Sequence, residues 1–162
     1  MADNQQYLTL GLDGALFAAP VESVQEILEM RPIARLPKAP SNLLGMIDVR
    51  GQGIPVIDLR ETLGIPAMAD NDATRIVVLR IPSGGRELTV GLKADRVFEV
   101  TVLDDPTLDP PPDFGVPWST QVIAGIGRRR GAFVTVFDLD HLLSGTPISG
   151  LAASPDGAEL AA

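Results

Sequence analysis

The chain has 162 residues, 45% of them apolar but only 4% aromatic, so a core is affordable in size and must be filled by Val, Ile and Leu. It has no cysteine, which excludes disulfides, thiolate metal sites and cysteine nucleophiles. A net charge of −8 with no dense basic face argues against nucleic acid as a ligand, because phosphate contacts need clustered Lys and Arg.

Residues 1–6 read as a polar arm without the basic start and apolar stretch of a secretory signal. Residues 7–12 alternate as a strand does, Asp13–Gly14 is a hairpin signal, and 15–19 form the return strand. Residues 20–23 make a single turn. The stretch VQEILEM, 24–30, is ambiguous. Val24, Ile27 and Leu28 have helical spacing, whereas Val24, Glu26 and Leu28 share one face of a strand. Three prolines make 31–42 a loop.

Residues 45–50 and 54–57 are strands joined by a turn at 51–53. DLRE, 58–61, has capping-box spacing ahead of a short helix that Gly64 ends. A polar loop at 66–74 leads to a buried strand at 75–81, a turn at 83–85, and strands at 87–92 and 97–103. Five prolines exclude regular structure from 104–117. Strands at 122–127 and 132–137 flank the arginine turn Arg128–Arg129–Arg130, read as a solvated hairpin tip. Residues 138–143 form a second short helix, and 146–162 read as a disordered tail. No apolar run has the length of a membrane span. The glycine pairs of GQG and GIG read as hairpin turns, without the phosphate-loop pattern.

The chain repeats itself. At an offset of 80, Gly45, Arg50, Gly51, Val56, Asp58, Leu59 and Leu63 recur as Gly125, Arg130, Gly131, Val136, Asp138, Leu139 and Leu143. At an offset of 73, Val24-x-Glu26-Ile27 recurs as Val97-x-Glu99-Val100. The repeat weakens catalytic readings. Asp58 and Asp138 resemble a carboxylate pair, but each opens a helix and is better placed to cap it. His141, the only histidine, sits at a surface-like helical position without neighbouring ligands. A single repeat unit is too small to bury a good core alone, so two small barrels sharing an interface are expected.

The segments YLTLGLDGALFAAPVESVQEILEM, IARLPKAPSNLLGMIDVRGQGIPVIDLRETLG and VIAGIGRRRGAFVTVFDLDHLLSG together resemble the CheW family of chemotaxis coupling proteins, over roughly residues 6–145. The resemblance implies a mostly β fold of two SH3-like five-stranded barrels with short helices. It implies one domain over 7–145, with a switch between sub-barrels near 85–95 and strands that cross over. The implied function is a cytoplasmic, non-enzymatic adaptor with no cofactor. It would link chemoreceptor tips, as helical hairpins, to the regulatory domain of a CheA-type histidine kinase. Related adaptors serve surface motility, biofilm or second-messenger clusters, which is the alternative circuit. A small nucleic-acid-binding barrel is a third class, opposed by the charge.

By resemblance, Val24, Glu26, Ile27 and Arg50 lie at the receptor groove. Leu36, Pro37, Ile54 and Pro55 lie at the first kinase contact, and Asp113–Phe114 at a second. The family's usual N-L-R-G is here Asp48-Val49-Arg50-Gly51, a departure that places a carboxylate near Arg50 and bears on partner preference. Three expectations come from the residues themselves. Pro55, lacking an N–H, suits an edge strand. Arg50 and Glu26 pair if their strands align. Trp118 packs within the fold.

Overall fold

A computed structural model describes residues 5–83, 85–110 and 122–144. In chain order these form β1 (Gln6–Leu12), β2 (Ala15–Pro20), a 3-10 turn at Val21–Ser23, β3 (Val24–Glu29), β4 (Leu43–Val49) and β5 (Gln52–Asp58). There follow α1 (Leu59–Thr62), β6 (Arg75–Ser83), β7 (Arg86–Ala94), β8 (Arg96–Val102), β9 (Ile123–Arg129), β10 (Ala132–Phe137) and α2 (Leu139–Ser144). The ambiguous stretch at 24–30 is a strand. Its neighbour β6 supplies a ladder, and tertiary pairing decides a segment too short for helix propensity to settle.

The strands make two five-stranded sheets with orders β3-β6-β7-β5-β4 and β8-β1-β2-β10-β9. These orders are the same when β3, β4, β5, β6 and β7 are matched to β8, β9, β10, β1 and β2. The fold is thus mostly β, in two SH3-like halves, and the repeat is circularly permuted: the first two strands of the chain complete its second sheet. Each half contains one parallel pair, β5 with β7 and β10 with β2.

Matched hydrogen bonds confirm the equivalence. The Asp58 amide donates to the Asn42 carbonyl, and the Asp138 amide to the Val122 carbonyl, both at 2.8 Å. Ala34 bridges to Met46 as Asp109 does to Ile126. These crossings explain the repeated glycines. A Cβ on Gly45 would stand 2.1 Å from the Ala34 carbonyl oxygen, and one on Gly125 would stand 2.8 Å from that of Asp109. The GIG glycines are therefore strand residues of β9, not a hairpin turn. A Cβ on Gly127 would meet Leu103 at 2.6 Å. The capping box forms by half. The Asp58 carboxylate accepts from the Arg60 amide at 3.0 Å, but its own amide is taken by Asn42, so Glu61 has no return bond to make there.

Alternation along the strands divides the core. Leu8, Leu10 and Leu12 of β1 meet Val77, Leu79 and Ile81 of β6 and Val90 and Leu92 of β7 in a cluster shared by both sheets. The other faces fill separate cores: Ile47, Ile54, Val56, Ile76 and Val78 in the first half, Tyr7, Ala18, Leu103, Val134 and Val136 in the second. Burial on both faces is why β6 reads as an unbroken apolar run.

One buried charge ties the halves together. Arg60 of α1 is only 7% exposed. Its Nε donates to Asp95 Oδ1 at 2.8 Å, Nη2 to Asp95 Oδ2 at 2.6 Å, and Nη1 to the Pro66 carbonyl at 2.6 Å. Asp95 joins β7 to β8 and also accepts the Asp13 amide from the β1–β2 turn at 2.8 Å. The bond from Arg60, more than any other influence, holds the Asp95 carboxyl below the ordinary aspartate range.

Two outcomes follow from these contacts. Gly45→Ala should cost at least about 2 kcal/mol, because backbone rather than a flexible side chain stands in the way; an unchanged denaturant midpoint would contradict the crossing. Asp95→Asn should cost about 2 kcal/mol near neutral pH by stripping Arg60 of its ion-pair partner. Because the folded value is depressed, that contribution exists above the ordinary aspartate value of 3.8 and is lost as pH falls through the folded value. Melting curves of wild type and variant should therefore converge in acid; a gap that persists at about pH 2 would exclude the charge as its cause.

Candidate docking site

The repeated Arg-Gly pairs are hairpin turns of matched geometry. Arg50 and Gly51 have φ of 51° and 85°, and Arg130 and Gly131 have 54° and 83°. Two successive left-handed residues define the turn whose twist suits a two-residue hairpin. Each turn is held by an aspartate. Asp48 Oδ1 accepts the Gly51 amide at 2.8 Å, within its own hairpin. In the other half Asp104 accepts the Arg130 and Gly131 amides, each at 2.9 Å, from the far end of β8, and these bonds draw its carboxyl below the usual range. The Asp48 departure thus has a structural role, legible as an aspartate three residues before a turn glycine.

The edge strands β3 and β8 carry irregularities at matched positions, between Val24 and Glu26 and between Val97 and Val100. A bulge turns side chains away from the regular alternation. Here each bulge precedes or contains a glutamate that reaches the opposing hairpin. Both terminal nitrogens of the Arg50 guanidinium donate to the Glu26 carboxylate, Nη1 to Oε1 at 3.3 Å and Nη2 to Oε2 in closer contact. Those bonds lower the Glu26 carboxyl from its usual range. Arg129 Nη2 stands 3.6 Å from Glu99 Oε2 in the second half. The second bulge is satisfied by Thr9, 2% exposed, whose hydroxyl donates to the Glu99 carbonyl at 2.9 Å and accepts the Glu99 amide at 3.3 Å.

The same register sets an apolar seam. Ile27 lies opposite Val77, and Val100 opposite Leu8. Directly paired residues share a face, and both partners belong to the shared core. Ile27 and Val100, 43% and 48% exposed, therefore extend that core to the surface on the two edge strands. Arg50, with its side chain 70% exposed, pairs with the less exposed Glu26, which lies opposite Val78 and so on the other face of β3 from Ile27. An edge strand with an apolar residue on one face and a pre-formed ion pair on the other can dock another chain and orient it.

Of the expected receptor-groove residues the structure pairs Glu26 with Arg50; Val24 is half-buried against the shared core, and Ile27 is exposed on the other face of β3 from Glu26. It also adds residues that sequence reading passed over. Glu99 and Val100 were matched to Glu26 and Ile27 by the repeat, and that match was the signal for a second edge of the same kind. Leu36 is half-buried on the shared core and Pro37 is exposed. Ile54 and Pro55 require correction. β5 lies between β7 and β4 and is not an edge, and both side chains are buried. Pro55 is tolerated because β7 pairs with β5 only over Val56–Asp58, so the missing N–H falls just before that ladder. Ile54 packs in the core of the first half. Asp113, Phe114 and Trp118 lie outside the described residues, as does the expected tail at 146–162.

The arginine tip is more structured than a solvated turn. The Arg128 guanidinium lies 4.5 Å from the Phe133 ring centroid. His141 Nδ1 lies 2.8 Å from Asp138 Oδ2, and Asp138 Oδ1 accepts the His141 amide at 3.2 Å, so Asp138 serves as a helix cap. Among the described residues no group of three or more His, Asp or Glu is placed to hold a metal ion.

Comparison with known proteins locates this arrangement. Residues 6–146 match the model of the CheW-like domain. The chain is 28% identical to the chemotaxis protein CheW of Klebsiella aerogenes over 140 residues, 86% of this chain and 82% of that protein. It is 27% identical to the chemotaxis protein CheW of Bacillus subtilis over 155 residues, 95% of each. The crystal structure of the scaffolding protein TtCheW from Thermoanaerobacter tengcongensis superposes with a TM-score of 0.76 at 27% identity, covering 86% of this chain and 92% of that one.

Proposed function

The chain belongs to the CheW-like domain family, and on that premise we propose that it is a non-enzymatic adaptor of chemotaxis signalling that couples the cytoplasmic tips of chemoreceptors to a CheA-type histidine kinase. The observation that carries the reading is the pair of matched edge strands, which expose Ile27 and Val100 on the shared-core face, the first of them also carrying the Arg50–Glu26 pair. A receptor's helical hairpin lays an apolar face along such a strip, in the manner of helices docking in grooves. The polar corner then fixes register and orientation more than affinity, since charged rims act chiefly on specificity and encounter.

In this reading Val24, Glu26, Ile27 and Arg50 meet the receptor. The kinase regulatory domain is met along the Leu36–Pro37 and Ile54–Pro55 stretches, and by Asp113 and Phe114 at a second contact. The Asp48 carboxylate accepts the Gly51 amide and secures the hairpin that presents Arg50; the alternative reading is a related adaptor of a surface-motility, biofilm or second-messenger cluster. No helix among the described residues is long and apolar enough to cross a membrane. The proposed place of work is the cytoplasm, with attachment to receptor arrays through protein contacts.

The turn geometry supplies a clean test. Arg50→Asn removes the guanidinium but suits the left-handed position better than arginine does. The variant should keep its melting temperature and lose at least about tenfold in affinity for a receptor cytoplasmic fragment, the effect of a central interface arginine. Arg130→Asn, at the matched turn, should bind as wild type. Loss of folding in Arg50→Asn, or full affinity, would remove Arg50 from the interface. Size-exclusion chromatography of the chain with its cognate kinase regulatory domain should give a complex; persistent separate peaks would overturn the coupling role.

A further inference from the structure

Between the second sheet and the loop that follows α1, the molecule has an open mouth that the docking seam does not use. Along β1, Leu8 and Leu10 face the shared core while Tyr7 faces the core of the second half. By the same alternation Gly11 faces the second half, opposite Leu16 on β2 and Arg96 on β8. Around Gly11 opens a cavity of about 430 Å³ lined by Leu16, Met68, Asn71, Arg96 and Phe98 among others. Gly11 has a steric reason to be glycine: a Cβ would stand 3.0 Å from Arg96 Cγ and 3.1 Å from Phe98 Cε2, so its absence lets both side chains lie down over the strand.

The lining has a definite chemistry. Phe98 is 48% exposed and Met68 42%, unusual for large apolar side chains, and both stand at the cavity rather than at the Arg50 corner. Ring and thioether surfaces favour an aromatic guest, through stacking and sulfur contacts. The Arg96 guanidinium lies 5.1 Å from the Phe98 ring centroid and makes no ion pair among the described residues. The nearby Asp95 carboxylate cannot serve it, being held by Arg60 and the Asp13 amide. The mouth therefore offers an aromatic-lined recess with a cation at its side that rests on the Phe98 ring and makes no ion pair among the described residues.

We propose that this mouth is a recognition pocket for an aromatic side chain with a neighbouring carboxylate, presented by an acidic segment of a protein partner. The aromatic ring enters beside Phe98 and Met68, and the carboxylate pairs with Arg96 in the bidentate manner open to guanidinium. The proposal stands apart from the receptor-docking reading, because none of these residues belongs to that corner.

The test uses 3-phenylpropionate as a probe that carries both features, titrated into the full-length ¹⁵N-labelled chain and followed by amide chemical shifts. Saturable binding in the millimolar range is expected, as suits a ligand of this size, with shifts centred on Gly11, Gly14, Asn71 and Arg96. Arg96→Gln should weaken it about threefold or more, 3-phenylpropanol should bind more weakly than the acid, and Phe98→Ala should abolish both. Arg96 is at the surface, so its variant should keep a dispersed spectrum and remain a valid control if Phe98→Ala misfolds. Absence of saturable shifts at these residues would overturn the proposal, as would equal binding of acid and alcohol. Concentration-dependent dimerisation reversed by Phe98→Asp would assign the mouth to a second copy instead, and would also overturn it.

Discussion

The second sheet cannot be completed without the first two strands of the chain. β1 and β2 sit between β8 and β10, in the places that β6 and β7 occupy in the first sheet. Closing the sheet therefore joins the beginning of the chain to its last described strand, and it places Leu8, Leu10 and Leu12 between the halves. Neither half has a full core without that insertion, because each β1 leucine is counted in the cluster both sheets share. Arg60 enforces the same joint electrostatically, gathering the β1–β2 turn, the β7–β8 link and the loop after α1 around one buried guanidinium. Apolar burial supplies the bulk of the driving force. The charge cluster adds direction, since a buried arginine is tolerated only when its partners stand in set places.

On this frame the surface is built twice with different chemistry. Both halves have an edge strand with a bulge, a glutamate aimed by it, and an Arg-Gly hairpin opposite. In the first half the aspartate that secures the hairpin comes from the hairpin itself; in the second it comes from the end of β8. The first corner is thus self-contained, with a well-made pair between Glu26 and Arg50, while the second is stitched to the connection that follows β8. In the second half Arg129 rather than the turn residue Arg130 approaches the glutamate. Duplication supplied the geometry, and divergence at a few positions left the two corners with different partners. The open mouth near Phe98 lies between the second sheet and the loop after α1, and is a further departure from symmetry.

Much of the fold was legible before any coordinates. Strand alternation, the Asp13–Gly14 and Arg-Gly turns, the helix-opening aspartates and the offset of 80 between the repeats all rest on neighbouring residues, and all are found in place. The pairing of Arg50 with Glu26 was legible too, as a conditional: it required only that two strands align. What failed to be legible involved neighbours distant in sequence. Residues 24–30 needed β6 beside them to become a strand. Pro55 reads as an edge residue because its missing N–H is local information, whereas the end of the β7 ladder that excuses it is not. Gly127 reads as a turn until Leu103 is seen against it.

The amino-acid order alone determined most element types, the duplication, and the identity of the residues that carry the Asp-Gly and Arg-Gly turns and the helix caps, because those depend on backbone preference and on contacts a few positions apart. Only the tertiary structure decided that the repeat is permuted, that Arg60 is buried, and that Ile27 and Val100 face the same shared core. Those outcomes depend on which strand lies beside which, and loop closure between segments far apart in the chain leaves no periodic mark on it, as with the Thr9 hydroxyl that fills the bulge at Glu99.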